Sequence, residues 1–345
     1  MLDEIDLARA LLGHQSARSA RPALHQVFRR TYWKGWMELR PAVWKGYQND
    51  LLRLRDAVQT QSGLRAEWEA ACLGQTGIAP FDRWAHELVQ TGYLNTAARR
   101  CFASIWMFTL GLPWQLGADF FLRHLLDGDP AVNTLSWRWV AGLQTPDKPY
   151  LVTAEEIARH SADAVTGLAH HARPIDAAPL PAPGPLPVET THAPEGRIGL
   201  LLHAQDSNPA FWSAETSPTA LAYLAPAQGY SPWQMAPRVA AFQKAAAESQ
   251  AGQSLAVLDS ADQIANWVET HRLDQIALPY APVGPVQDLI RAYGENPAVC
   301  PISQHRRPLD CYAWPLATQG FSLFVRHIPQ ILNQFARPQG PLVLL

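Results

Sequence analysis

A short row of polar and aromatic side chains in the first half of the sequence has the residue types and the spacing of a chemical site. The motif Asp127-Gly128-Asp129 supplies two carboxylates, Asn133 follows four residues after Asp129, and Trp137 follows four residues after Asn133. Carboxylates accept hydrogen bonds, an amide both donates and accepts them, and tryptophan adds a large aromatic ring. If a helix begins near Pro130, residues four apart share one of its faces, so the row would point in one direction.

The row is part of a longer pattern that extends on both sides of it. The pattern includes Thr91-Gly92-Tyr93, Arg99, Trp114, Trp139 and Pro149-Tyr150. Over about residues 24–152, the order of these residues and the gaps between them resemble the flavin-binding core of the DNA photolyase and cryptochrome family. The resemblance implies a bound FAD and electron transfer driven by blue light.

The same resemblance implies which residues contact the flavin. Arg99 matches the family arginine that pairs with the first aspartate of the Asp-Gly-Asp motif, so we expect a partly buried ion pair with Asp127. Asn133 matches the position that faces N5 of the flavin, where the residue type tunes the stable redox state. The implied cofactor-binding residues are Arg30, Arg99, Asp127, Asp129 and Asn133.

Two tryptophans match the family's electron donors. Trp137 corresponds to the tryptophan that reduces the photoexcited flavin, and Trp114 corresponds to the second member of that chain. The third member has no counterpart between Gln48 and Arg65, where the sequence contains no tryptophan. The candidates to replace it are Trp44, Trp68, Trp84 and Trp106.

The residues that would contact damaged DNA depart from the family pattern. Residues 24–36 resemble the segment E-(L/V)-(I/F)-W-R-(E/T)-(F/Y), in which Arg30 matches a flavin-proximal arginine. Gln26 then replaces a glutamate that hydrogen-bonds a damaged pyrimidine, and Arg29 replaces a stacking tryptophan, whereas Trp139 matches a tryptophan of the lesion pocket. Because a stacking ring contributes ~1–3 kcal/mol per base, we expect weak or absent repair of cyclobutane dimers in duplex DNA.

The serine- and threonine-rich loop with which the family grips the FAD phosphates is not found ahead of Leu24. The residues that could replace it are Ser16, Arg18, Ser19 and Arg21. We therefore expect a weaker grip on the phosphates.

Charge and composition favour a cytoplasmic protein and give no clear sign of duplex DNA as a partner. The first 150 residues have a net charge of +3 and the remainder −5, which is not the positive footprint typical of a duplex-DNA binder. No apolar run reaches the ~18 residues of a membrane span, and the acidic start lacks the positive region of a signal peptide. The four dispersed cysteines indicate reduced thiols, and no metal-ligand spacing is found.

Residues 1–173 are predicted to form a helical FAD-binding domain, because apolar residues recur there at spacings of three and four. The predicted helices are Asp6–Leu12, Ala23–Trp36, Gln48–Gln59, Leu64–Ala71, Phe81–Gln90, Asn95–Leu110, Trp114–Leu125 and Ala154–Arg173.

A linker and a second domain are predicted after this region. The linker, residues 174–196, contains seven prolines and cannot hold a helix. In residues 197–345, short apolar runs alternate with helical stretches, which predicts a Rossmann-like, mostly parallel α/β sheet. The predicted strands are Ile198–His203, Ser254–Leu258, Gln275–Leu278 and Val299–Ile302, and the predicted helices are Met235–Gln250, Ala261–Arg272, Val283–Tyr293 and Phe321–Phe335.

The α/β region faintly resembles the family's antenna domain, which normally precedes the flavin domain. The resemblance covers Ile198–Phe211 only, and an unrelated α/β module is the alternative. Parallel sheets bind ligands beyond the carboxyl ends of their strands, so the loops after Leu202, Leu258 and Leu278 would form any antenna-chromophore site. The chromophore itself is unknown.

Three functions remain open at this level. The first is a light-driven enzyme in which reduced FAD repairs damaged or single-stranded DNA. The second is a photoreceptor or redox flavoprotein that does not repair DNA. The third is a degenerate scaffold that no longer binds FAD. Asn133 and Trp139 favour the first, whereas Gln26, Arg29 and the missing phosphate loop favour the others.

Overall fold

The computed structural model describes residues 4–145, 148–161, 168, 175, 179–188, 193, 195–212, 217–226, 231–295 and 300–335. Residues 162–173 of the predicted helix Ala154–Arg173, apart from residue 168, lie outside this set, and so does part of the proline-rich linker.

Nine helices lie in the described residues between 4 and 161, in agreement with the prediction of a helical region. Asn95, Asp129 and Thr153 cap three of them, as the short polar side chains that accept from free N–H groups commonly do. The helices are α1 (Glu4–His14), α2 (Ala17–Glu38), α3 (Pro41–Thr60), α4 (Ser62–Leu73), α5 (Ala79–Thr91), α6 (Thr96–Phe108), α7 (Trp114–His124), α8 (Pro130–Val140) and α9 (Ala154–His160).

A parallel sheet with strand order β3-β2-β1-β4-β5 follows, which confirms the predicted α/β architecture. The strands are β1 (Ile198–His203), β2 (Ala220–Leu224), β3 (Ala256–Leu258), β4 (Gln275–Pro279) and β5 (Ile302–His305). The remaining helices are α10 (Pro237–Ala251), α11 (Ala261–His271), α12 (Pro285–Gly294), α13 (Pro308–Ala313), α14 (Phe321–Phe324) and α15 (Ile328–Gln334).

Several elements differ from those predicted. Strand β2 was missed, because Ala220–Leu224 is a short run without alternation between apolar and polar residues. Helix α9 ends at His160, well before the predicted end, and Ser161 is extended. The single helix predicted over Phe321–Phe335 is divided into α14 and α15 by the 3₁₀ turn Val325–His327, just before Pro329.

The residues cluster into two compact units. Unit 1 comprises Met1–Pro41, Ala182–Pro226 and Lys244–Leu345, and unit 2 comprises Ala42–Pro181 and Ala227–Gln243. Helices α1 and α2 therefore cluster with the sheet, and not with helices α3–α9. The predicted division into domains 1–173 and 197–345 follows the sequence pattern and stays a prediction.

In unit 1, helix α2 packs against the sheet and its surroundings through its C-terminal half. Residues 31–40 are all buried. At Gly35 a Cβ atom would lie 2.7 Å from the Trp314 ring, so the helix can approach this closely only with glycine. The Tyr32 hydroxyl donates to Gln319 O at 2.8 Å, and Arg40 donates to Thr318 O at 2.7 Å.

The core of unit 2 is built largely from aromatic rings. Phe81 and Phe102 stack with centroids 4.1 Å apart, and Trp106 stacks between Phe102 and Phe120 at 5.9 and 6.2 Å. These rings come from α5, α6 and α7. They form the apolar support on which α8 lies.

Candidate functional site

Helix α8 carries the row of polar and aromatic side chains that the sequence singled out. Its N-cap is Asp129, whose carboxylate accepts from Val132 N at 3.0 Å, and Pro130 occupies the first turn. This start confirms that Asp129, Asn133 and Trp137 lie one turn apart on a single helix. Asp129 is 2% exposed, so the cap is held inside the protein.

The expected ion pair between Arg99 and Asp127 is present. Arg99 Nη1 donates to Asp127 Oδ2 at 3.1 Å and Nη2 donates to Oδ1 at 3.0 Å, a two-pronged arrangement. Arg99 Nε also donates to Leu94 O at 2.8 Å, which fixes the guanidinium plane. The Asp127 side chain is 55% exposed and can therefore accept a further hydrogen bond from a ligand.

Gly128 serves the turn itself. A Cβ atom there would lie 3.0 Å from Leu125 O and 3.3 Å from Leu122 O, so a larger residue would push the turn away from α7. This requirement explains the glycine between the two aspartates without any ligand.

Asn133 is 7% exposed and its amide nitrogen donates to Ala118 O at 2.7 Å. The bond fixes the amide orientation, with the nitrogen toward α7. The carbonyl oxygen of the amide stays available as an acceptor. Neighbouring Thr134 is fully buried, and its hydroxyl has no hydrogen-bond partner among the described residues.

Trp137 lies in the aromatic core. Its ring is 2% exposed and meets Phe121 and Trp106 edge-on, with centroids 5.1 and 6.2 Å apart. The ring fits because α7 has Gly117, where a Cβ atom would lie 2.3 Å from Trp137 Cη2. Gly117 has no signal in the sequence, since nothing in a helical pattern marks the glycine that a ring will cover.

Trp114 continues into a line of stacked rings. It stacks on Tyr47 with centroids 5.6 Å apart, and Tyr47 packs on Trp44 at 5.3 Å. All three side chains are buried. Burial, and to a lesser degree the Asp119 carboxylate, raise the pKa of Tyr47 well above its usual value. Its hydroxyl has no hydrogen-bond partner among the described residues.

The other candidate third tryptophans have different surroundings. Trp106 belongs to the core, and its Nε1 donates to Pro113 O at 2.9 Å. Trp68 packs against Trp233 at 5.1 Å. Trp84 is 3% exposed on α5. Of the four candidates, Trp44 is the one that a chain of ring contacts joins to Trp114 among the described residues.

A buried ion pair stabilises helix α7 in the same unit. Arg123 Nε donates to Asp119 Oδ2 at 2.7 Å, and the carboxylate is fully buried. Burial raises the pKa of Asp119, while Arg123 and a hydrogen bond from Ser231 act in the opposite direction. Arg123 O also accepts from Ala236 N. The pair thereby joins the segment before α10 to α7, a contact that the sequence did not indicate.

The three candidate residues of the segment 24–36 lie on α2, in unit 1. Gln26 is exposed, whereas Arg29 and Arg30 are partly buried. The Arg29 guanidinium lies 4.8 Å from the centre of the Phe321 ring, in a cation–π contact. The role of Arg30 toward the flavin rests on the alignment of this segment and stays a prediction.

Trp139 lies on the last turn of α8 and is 37% exposed. Its ring stacks on Tyr150 at 5.8 Å, and the Arg100 guanidinium lies 5.4 Å from the Tyr150 ring centre. The hydroxyl of Tyr150 donates to Glu156. The result is a fixed aromatic platform at the surface of unit 2.

The proposed substitutes for the phosphate loop have a structural use of their own. Ser16 caps α2 and accepts from Ser19 N at 3.2 Å. Arg18 and Arg21 are exposed. Their role as phosphate ligands stays a prediction.

The residues of unit 2 fit the ring side of a flavin. A half-exposed carboxylate at Asp127 and the amide oxygen of Asn133 are acceptors suited to ring and ribityl N–H and O–H groups. The Asp129 carboxylate is buried and accepts from Val132 N, and its contact with the flavin stays a prediction. The phosphate side has no comparable set in this unit among the residues assigned from the sequence.

No helix in the part of the chain that the structure describes is long and apolar enough to cross a membrane. Over the same residues, no group of three or more histidine, cysteine, aspartate or glutamate side chains could hold a metal ion. The four cysteines, all within the described ranges, form no disulfide.

Comparison with known proteins identifies the class of this helical region. Residues 23–163 match the model of the FAD binding domain of DNA photolyase. Deoxyribodipyrimidine photo-lyase from Vibrio cholerae is 30% identical over 122 residues, which cover 31% of this chain and 26% of that protein. The proteins of the same name from Streptomyces griseus and Escherichia coli are 28% and 29% identical, over 39% and 37% of this chain and 32% and 26% of their own lengths.

Residues 23–163 therefore form a photolyase-type FAD-binding domain. The matched stretches span about a quarter to a third of these three relatives. A comparison with solved structures found no match.

Proposed function

We propose that the protein is a flavoprotein in which blue light drives electron transfer from buried tryptophans to FAD. The observation that carries the proposal is the two-pronged Arg99–Asp127 pair beside the capped start of α8, inside the segment that matches the FAD-binding domain. Bound FAD would supply a ring that absorbs blue light and accepts an electron from a neighbouring side chain.

Each assigned residue has a distinct part in this proposal. Arg99 holds the Asp127 carboxylate in place, so that it accepts from the cofactor without first being ordered. Asn133, oriented by its bond to Ala118 O, presents its amide carbonyl. Asp129 fixes the start of the helix that bears Asn133. Arg30 is assigned to this set from the family alignment alone.

An absorption spectrum of the purified protein tests FAD binding directly. We expect the flavin bands in the wild type and their loss in Asp127→Ala. Asp129→Asn is the matched control, because asparagine is an equally good N-cap and should retain the cofactor. A colourless wild type that also ignores added FAD would favour the degenerate scaffold.

For the electron route we assign Trp137 as the first donor, Trp114 as the second and Trp44 as the third. The stacked contacts of Trp114 with Tyr47 and of Tyr47 with Trp44 support this extension. An oxidised tyrosine must lose its phenolic proton. A long-lived radical on Tyr47 is therefore disfavoured, because its hydroxyl has no acceptor among the described residues. Its ring would bridge the two tryptophans.

Photoreduction with a thiol as the external electron source tests this route. Trp137→Phe and Trp44→Phe should slow the bleaching of the oxidised flavin band. Transient absorption should show a lower yield of tryptophan radical in Trp137→Phe and a shorter-lived radical in Trp44→Phe. Tyr47→Phe keeps the ring and should behave like the wild type. Trp84→Phe is the control for the loss of a buried tryptophan elsewhere in the unit. Equal rates in Trp44→Phe and the wild type would remove Trp44 from the route.

The second candidate function is a flavoprotein that does not repair duplex DNA. The contact of Arg29 with Phe321 favours it, because this side chain is engaged within unit 1 where the family has a stacking ring. Repair of single-stranded DNA is the remaining alternative, with Trp139 as the stacking residue. Illuminated assays on duplex and single-stranded DNA that contains cyclobutane dimers separate these cases, and efficient duplex repair at physiological salt would exclude the second candidate. A cytoplasmic location stays a prediction.

A further inference from the structure

The α/β sheet has the topology that usually creates a ligand site. In the strand order β3-β2-β1-β4-β5, the chain runs outward from β1 to β3 and then returns to the other side of β1 to form β4. Nucleotides and related cofactors bind such sheets in the crevice beyond the carboxyl ends of the strands at this switch point. The loops that border it are 204–208 after β1 and 280–284 after β4.

Both loops contact helix α2 of the same unit. Lys34 Nζ donates to Gln205 O at 3.4 Å, in the loop after β1. Glu38 accepts from the Tyr280 hydroxyl at 2.8 Å and from Val283 N, in the loop after β4. Lys34 and Glu38 are four residues apart and therefore project from the same face of the helix.

The surroundings of the two side chains are closed to solvent. Lys34 is 4% and Glu38 1% exposed. Between them, Gly35 lets the helix backbone lie against Trp314, with room for no side chain. The strand end is closed too, since His203 is fully buried and its Nε2 contacts Pro279 O at 3.0 Å.

We propose that the switch-point crevice of the sheet is a socket for helix α2, held by Lys34 and Glu38, and that it binds the chain's own helix in place of a nucleotide or an antenna chromophore. Glu38 is the positioning residue of this socket. Because α2 is one continuous helix from Ala17 to Glu38, fixing its last two turns also fixes the segment that bears Arg29 and Arg30.

The charged and polar groups around Glu38 are consistent with a socket that holds a buried carboxyl group. Burial raises the pKa of Glu38 to about 7, and Asp310 acts in the same direction, while the bonds from Val283 N and Tyr280 and the charge of Arg306 oppose the rise. When Glu38 is protonated, the hydroxyl of its carboxyl group can still form a hydrogen bond in the socket. When the pH is raised, Glu38 becomes a buried carboxylate.

Hydrogen–deuterium exchange of the full-length wild type tests the occupied crevice without any substitution. FMN and NAD are the probes, since doubly wound sheets bind such nucleotides. We expect that neither changes the exchange of loops 204–208 and 280–284. Protection of both loops by either probe would overturn the proposal, because it would show that the crevice is open to a ligand. The location of the effect separates it from flavin binding elsewhere.

The variant Glu38→Gln tests the socket. We expect exchange in residues 31–38 to rise by about tenfold, because glutamine replaces one of the two acceptor oxygens of Glu38 with an NH2 group, with exchange in α11 unchanged. Tyr280→Phe removes one of the two donors and should give a smaller rise. Glu269→Gln, an exposed carboxyl on α11, is the matched control. If exchange in Glu38→Gln equals that of the wild type, the role of Glu38 is overturned. Neither exchange test depends on bound flavin, so both can be interpreted even if the protein is colourless.

Discussion

The contacts that hold α8 in unit 2 differ in kind from those that hold the end of α2 in unit 1. In unit 2 the described interior around α5–α8 consists mainly of rings, and Trp137 reaches its place because Gly117 leaves it room. In unit 1 the hydrogen bonds that join α2 to the loops after β1 and β4 are made by a lysine and a glutamate. An aromatic core is sensitive to shape, whereas a buried charged contact is sensitive to pH. Different changes should therefore destabilise the two regions: a change of side-chain shape in unit 2, and a change of pH in unit 1.

The largest expected effect tests the shape of the aromatic core. Gly117→Val would force a side chain onto Trp137, whose ring lies 2.3 Å from the position of a Cβ atom. We expect a loss of about 3 kcal/mol in the free energy of unfolding, measured by urea denaturation. Gly46→Ala on α3 is the matched control, since nothing lies within 4 Å of its Cβ position, and it should stabilise by up to ~1 kcal/mol. If Gly117→Val had the same free energy of unfolding as the wild type, the aromatic core would be able to rearrange around the added side chain.

The second prediction concerns pH and tests the socket in unit 1. A carboxyl whose pKa is raised from 4.5 to about 7 stabilises the folded state below pH 4.5, and this contribution is lost as the pH rises through 7. Relative to Glu38→Gln, the wild type should lose roughly 2 kcal/mol between pH 5 and pH 8. Comparison with the variant is needed because burial also lowers the pKa of His203 and of His124. These two histidines make the free energy of unfolding rise with pH over this range, opposite to the effect of Glu38. A difference that does not change with pH would contradict the buried carboxyl.

How much of this could be predicted from the sequence differs between the units for a physical reason. The start of α8 follows from its cap, which is a short-range feature. The Arg99–Asp127 pair joins residues 28 positions apart, and it was implied by the family resemblance. Lys34, Gly35 and Glu38 gain their role only when the chain returns some 170 to 280 residues later with Gln205, Tyr280 and Trp314. Their one signal in the sequence is a lysine and a glutamate in a stretch that also contains two tryptophans, Trp33-Lys34-Gly35-Trp36-Met37-Glu38.

The third prediction separates the cap of α8 from its cofactor role. Asp129→Ala removes the acceptor for Val132 N and should cost about 1 kcal/mol, whereas Asp129→Asn should cost little. Thermal unfolding of the protein without cofactor measures this term alone. Equal stability of the alanine and asparagine variants would show that the first turn of α8 needs no cap.

The smallest expected change in stability decides whether the Arg99–Asp127 pair serves the fold or a ligand. Arg99→Lys keeps the positive charge and loses the two-pronged geometry. Because the Asp127 side chain is 55% exposed, solvent screens the pair, and the free energy of unfolding should fall by less than about 1 kcal/mol. FAD affinity should fall much further, by about tenfold, since Asp127 is no longer held in one orientation. Titration of the variant with FAD, beside urea denaturation without FAD, measures the two quantities separately. If both fell in proportion, the pair would be a structural contact of unit 2 and the flavin would have to be held from elsewhere.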